Sequence, residues 1–244
     1  MGKYAMLLSG GVSKTHNYSR YRNDLEWVYK VLIEDCDYKK DDISVYYADG
    51  SAIEYEKNTL FTYSAEKDKI LKYLNECTEK LTASDCLTIV VTNHGSDDLE
   101  GYIHLWGTEY ITLQEFADML NKIKAKKVIL LGQCYGGNML RYDIKNCCLL
   151  TSNAEGKVSY CNPFNDMYDE FIFHFFSYIH GKYPDNTKIN EKVENNVLAA
   201  FEYACDHDVL RPNSEVSKMI QAYKGIECIE IPQMKCDIDG RIEL

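Results

Sequence analysis

The sequence predicts a three-layer α/β/α sandwich with a mostly parallel sheet, built as one domain over residues 1–244. Three observations lead there. Short apolar runs alternate with longer amphipathic ones along the chain. Several short runs, above all LTIVVT at 87–92, are continuous and β-branched, as expected of parallel strands buried on both faces. The length and the 45% hydrophobic content suffice for one sizeable core.

The elements follow in order. Residues 4–8 read as a first strand. Residues 21–35 carry helical spacing through Leu25, Val28, Tyr29, Leu32 and Ile33. A second strand is expected at 43–47. A second helix follows at 65–81, with Ile70, Leu71, Leu74 and Leu81 on one face. After the strand at 87–92 comes a small hairpin over 100–112, with Gly101 and Gly107 near its turns. Thr112 and Glu115 form a partial capping box for a helix at 113–124. Further buried strands are expected at 128–131 and 148–151, helices at 166–180 and 191–206, and a last strand at 227–231. The polar stretch 153–166 reads as an exposed loop, with self-cleavage there as the alternative.

Composition narrows the function classes. A net charge of −11, spread along the chain, argues against nucleic acid or an anionic membrane as the main partner. No segment approaches a membrane span, and the apolar start is too short for a signal peptide, so a cytoplasmic protein is expected. The ten cysteines form no C-x-x-C pair, and reduced thiols that pack as small hydrophobes are the expectation. No H-x-x-x-H or similar ligand cluster appears, so neither metal nor cofactor is expected. The late DIDG at 237–240 lacks the remaining ligands of a calcium loop and reads as a turn.

In a parallel sheet, active sites lie beyond the carboxyl ends of the strands. The polar residues just past those ends are few: Ser9-Gly10-Gly11, Asn93-His94-Gly95, Gln133-Cys134 and Ser152-Asn153. A cysteine and a histidine at two such ends form a nucleophile and base pair, since the thiolate attacks and imidazole helps generate it. Gly95 lets a carbonyl approach the backbone, and the N–H groups of Gly95 and Cys134 are candidate oxyanion donors. Gly136 and Gly137 permit the turn that presents the cysteine.

The segments VTNHGSDD and LLGQCYGGNML resemble the base and nucleophile strands of the caspase–hemoglobinase clan, which includes caspases, metacaspases, legumains, clostripain and gingipains. SGGVSKTHNYSRYRNDLEWVYKVL is similar to the entry segment of the legumain-like C13 peptidases. YDEFIFHFFSYIHG resembles a later helix of their bacterial relatives. The likeness covers residues 3–205. It implies a caspase-like fold and a cysteine endopeptidase with a polypeptide substrate, His94 as base and Cys134 as nucleophile. It further implies that Asn17 orients His94 and that Arg20, Gln133, Ser159 and Asp169 contact the substrate. Ser19, inserted before Arg20, and Tyr135, after the cysteine, depart from the legumain pattern. Asn is the first expectation for the residue before the cleaved bond and Asp the second. A catalytically silent binding domain and a peptide ligase of the same fold remain alternatives.

Overall fold

A computed structural model describes residues 1–55, 58–98, 101–164 and 166–244. Its centre is a six-stranded sheet in the order β11-β10-β9-β5-β1-β2. The strands are β1 (Lys3–Ser9), β2 (Ile43–Tyr47), β5 (Cys86–Val91), β9 (Lys126–Leu131), β10 (Cys147–Thr151) and β11 (Gln233–Cys236). The first five run parallel, and β11 closes one edge antiparallel to β10.

Alternation along these strands builds two cores. Ala5, Leu7, Val90, Val128, Leu130, Cys148 and Leu150 face one side. Met6, Leu8, Leu87, Ile89, Val91, Ile129, Leu131 and Leu149 face the other. Both faces are buried, which is why β5 reads as an unbroken apolar run rather than as an alternating one. The first core takes the apolar faces of α1 (Ser19–Glu34), α4 (Glu170–His180) and α5 (Val197–His207). The second takes α2 (Lys67–Lys80) and α3 (Leu113–Lys122). Thr112 caps α3 by accepting the Glu115 N–H at 3.1 Å.

Two small antiparallel sheets decorate this frame. One pairs β3 (Ile53–Tyr55) with β4 (Asn58–Leu60). The other joins β6 (Gly95–Ser96), β7 (Tyr102–His104) and β8 (Tyr110–Thr112), and it contains the hairpin expected at 100–112, whose residue 100 lies outside the described residues. Residue 165 of the expected loop 153–166 lies outside them too.

Three expectations need correction. The last strand is Gln233–Cys236 rather than 227–231, since Pro232 lacks a ladder donor and Glu230 is drawn inward by its carboxylate. A further helix, α6 (Glu215–Lys224), was not foreseen. Its signals are the Ser214 cap on the Ser217 N–H and Gly225 at φ 68°, but its apolar residues Met219 and Tyr223 stand exposed, so no core selects it. Lastly, the thiols are not all reduced. Cys148 and Cys236 are directly opposed across β10 and β11 and form a disulfide. The pairing depends on the register of β11, 88 residues away in sequence. No described helix is long and apolar enough to cross a membrane.

Candidate active site

The carboxyl ends of β5 and β9 meet. β5 runs out through Thr92 and Asn93 into His94 and Gly95. The buried Asn93 side chain ties this end down, accepting the Gly11 N–H at 3.0 Å and donating to the His104 carbonyl. A Cβ placed on Gly95 would lie 1.9 Å from the Cys134 carbonyl oxygen, so only glycine allows the two strand ends to touch. The N–H of His104 donates to the His94 carbonyl at 3.2 Å. This makes Gly95 and Ile103 a non-hydrogen-bonded pair and keeps the Gly95 N–H out of the β6–β7 ladder.

His94 is held by its backbone neighbours and by rings. Its Nε2–H donates to the His16 carbonyl at 3.0 Å. That bond selects the tautomer and leaves Nδ1 as the unprotonated nitrogen. The rings of Tyr18 and Tyr21 meet the imidazole edge-on, at 5.1 and 5.3 Å between centroids. Burial holds its pKa below the ordinary histidine value. The charges of Arg20 and His16 add to this, against the His16 hydrogen bond.

Cys134 sits on a sharp turn. Tyr135 takes a left-handed φ of 59°, and a short 3-10 helix, Gly136–Arg141, follows. A Cβ on Gly137 would come within 2.5 Å of the Ala154 carbonyl oxygen, so this turn also needs glycine. The thiol lies 3.6 Å from the Ser159 carbonyl oxygen. Burial first, and then the Asp169 charge, push its pKa up, against the Ser159 contacts and Arg20. The resting sulfur is therefore a thiol that donates to Ser159.

Arg20 opens α1 beside these groups. Its guanidinium lies 4.6 Å from the Tyr18 ring centroid and 4.8 Å from that of Tyr21, and it donates to the Tyr21 hydroxyl at 3.3 Å. Behind it are two buried acids. Asp24 accepts from Thr92 Oγ1 at 2.5 Å and from the Asp169 N–H at 3.0 Å. Asp169 caps α4 through the Ile172 N–H at 2.9 Å. Burial raises Asp24 to about 7, and burial plus the neighbouring Asp24 charge hold Asp169 well above the carboxylate range.

Of the residues expected at the site, His94, Gly95, Cys134, Arg20, Ser159 and Asp169 converge. Two do not take their expected places. Asn17 donates to the Tyr47 hydroxyl at 2.9 Å instead of to His94, whose Nε2–H goes to the His16 carbonyl. Gln133 is only 1% exposed, and its amide donates to the Tyr102 carbonyl at 3.3 Å, bracing the hairpin rather than facing a substrate. Sequence reasoning missed His16, which acts through its backbone and so leaves no side-chain signal. It also missed Tyr21, one position beyond Arg20. A groove of about 830 Å³ between α1, β2 and residues 59–63 shares none of these residues.

The loop 159–161 forms the other wall. Tyr160 is turned inward: its N–H donates to Glu230 Oε1 at 2.6 Å, and its carbonyl accepts the Glu170 N–H at 3.3 Å. The Ser159 carbonyl points instead toward Cys134, 3.6 Å from its sulfur, and Cys161 forms an antiparallel bridge with Asp169.

Comparison with known proteins agrees with this architecture. Caspase-1 from Spodoptera frugiperda superimposes with a TM-score of 0.60 at 15% identity, covering 96% of this chain and 85% of that one. A Geobacter sulfurreducens protein superimposes with a TM-score of 0.63 at 10% identity, covering 100% and 97%. These show a caspase-like fold. No curated protein matches the sequence. The family model for the peptidase C13 family matches residues 49–207, which hold both His94 and Cys134, and the chain belongs to that family of cysteine peptidases.

Proposed function

We propose that the protein is a cysteine endopeptidase in which Cys134 is the nucleophile and His94 the base. The observation that carries this reading is the contact of Gly95 with the Cys134 carbonyl, which puts the two side chains on touching strand ends. The substrate is laid as a strand along Ser159 and Cys161. Its N–H at the residue before the cleaved bond takes the Ser159 carbonyl and releases the thiol from it. The thiol gives its proton to His94 Nδ1 as sulfur attacks the carbonyl carbon. The N–H groups of Gly95 and Cys134 hold the oxyanion. The imidazolium then protonates the leaving amine, and His94 activates the water that hydrolyses the thioester.

Arg20, clasped between two tyrosine rings, supplies a donor for the side chain before the cleaved bond. The acids behind it hold their protons more tightly than ordinary carboxyls. Such a pocket suits Asn first and Asp second, and a Lys or Arg there meets the charge of Arg20. Profiling a peptide library with wild type and Cys134→Ala tests the reading. Cleavage after Asn or Asp, lost in the variant, is expected. A wild type that cleaves nothing under reducing conditions overturns it.

A silent binding domain is the second reading, favoured by the resting thiol bound to Ser159. An acyloxymethyl-ketone probe separates the two: a working cleft labels Cys134 far above the other cysteines, and a silent one does not.

A further inference from the structure

The wall of the cleft is held by a second pair of carboxyls outside the catalytic groups. Glu230 is completely buried, and its Oε1 accepts the Tyr160 N–H at 2.6 Å. Its other oxygen, Oε2, receives no donor. Asp208, just past α5, is also completely buried. Its Oδ1 accepts the Leu210 N–H at 2.7 Å, and its Oδ2 likewise receives no donor. These side chains lie within hydrogen-bonding reach of each other. The segments that carry them are linked as well, since the Glu230 N–H donates to the carbonyl of Leu210, two residues past Asp208, at 3.1 Å. Two neighbouring buried carboxyls, each with an oxygen that receives no donor, are stable in a dry interior only with a proton between them.

We propose that Glu230 is a positioning residue of the cleft: a proton shared with Asp208 fixes its carboxyl on the Tyr160 N–H, and this sets the Ser159–Cys161 edge against which the substrate strand lies. The proposal rests on the peptidase reading for its substrate but not for its clamp. The surroundings supply little to replace the proton. Asp169 and Glu170, at the start of α4, present Glu230 with two further acids and no cation. Glu170 also faces Asp208, but it is engaged by His174 at 3.0 Å, Asn162 at 2.6 Å and the Val209 N–H at 2.9 Å. Arg211 is the cation near Asp208, and its Nη1 donates to the Asp208 backbone carbonyl at 2.7 Å. Cys134 and Cys228 flank Tyr160. Burial and like charge push both carboxyls up, Asp208 to about 7 and Glu230 well above its ordinary range, so the pair holds its proton more tightly than ordinary carboxyls do.

The test compares wild type, Glu230→Gln, Glu230→Ala and Asp208→Asn. Gln at 230 keeps an acceptor for Tyr160 and brings its own N–H for Asp208, so it mimics the protonated pair. Two measurements are made: exchange of the Tyr160 amide by NMR, and KM and kcat on a peptide cleaved by the wild type. Glu230→Ala should lower Tyr160 protection by about a hundredfold. It should raise KM by about tenfold with kcat changed by less than about threefold. Glu230→Gln should match the wild type near neutrality in both measurements. It should also retain its KM in alkali, where that of the wild type rises. Should Glu230→Ala fail to fold, Asp208→Asn gives the same test, with Tyr160 protected and the alkaline rise in KM abolished. Unchanged Tyr160 protection in Glu230→Ala, or a Glu230→Gln protein as impaired as Glu230→Ala, overturns the proposal. Wild type that cleaves no peptide, with Tyr160 exchange responding as stated, removes the peptidase reading and supports the clamp.

Discussion

The carbonyl oxygen of Cys134 occupies the space that a side chain at position 95 would need, 1.9 Å from where its Cβ would sit. Base strand and nucleophile strand are thus set against each other through one missing methyl group. Gly95→Ala must push β6 away from the Cys134 turn and displace the Gly95 N–H. The expected loss in kcat/KM is about a hundredfold. A stability loss of about 1–3 kcal/mol, read from urea unfolding, should accompany it.

The resting thiol titrates above its ordinary value, because burial and Asp169 disfavour the thiolate. Iodoacetamide should therefore alkylate Cys134 slowly at neutral pH and faster as pH rises past the usual thiol range. A peptide-like ketone that occupies the Ser159 edge should label it quickly at neutral pH. Rapid iodoacetamide labelling at pH 6 would contradict the arrangement.

His94 must be neutral in the free enzyme to take the proton, and burial holds its pKa down. The acid limb of the kcat/KM profile should consequently fall below the ordinary histidine value of about 6.5. Arg20 is part of the cause, so Arg20→Ala should move that limb toward higher pH. The same substitution should reduce kcat/KM on Asn and Asp substrates by about a hundredfold through the lost pocket contact.

Stability should run with acid rather than against it through the neutral range. Asp24 and Asp208 are held at about 7 in the folded chain, with Asp169 and Glu230 pushed up as well. In the unfolded chain these groups lose their protons near pH 4, at about 3.9 for Asp and 4.3 for Glu. Between those limits the folded state binds more protons than the unfolded one. Each group then removes stability as pH rises toward 7. Urea midpoints should fall from about pH 4.5 to 7, and Asp24→Asn should flatten that slope. Surface acids such as Asp85 and Asp49 are shifted down by hydrogen bonds and reverse the trend below that window.

Much of this architecture was legible because it rests on local rules. Both faces of β5 are covered, so its residues had to be apolar throughout. The residues past the strand ends had to be polar or small. What was not legible depends on partners distant in sequence. The Tyr47 hydroxyl reaches Asn17 from the edge strand, and nothing in NYSR announces it. Gln133 lies next to the nucleophile, yet its amide is claimed by the hairpin carbonyl of Tyr102. The Asp208–Glu230 pair joins two segments whose burial no local pattern predicts, since an isolated acid in sequence reads as surface.

The bond between Cys148 and Cys236 has a bearing on how the chain would be processed. The loop 153–166 and the whole stretch that carries α4, α5 and α6 lie between the two sulfurs. A single cut anywhere in that interval yields two polypeptides that stay tethered to one another. Matured protein would then migrate as an uncut chain on a gel run without reductant, and would fall into two bands only once thiol is added.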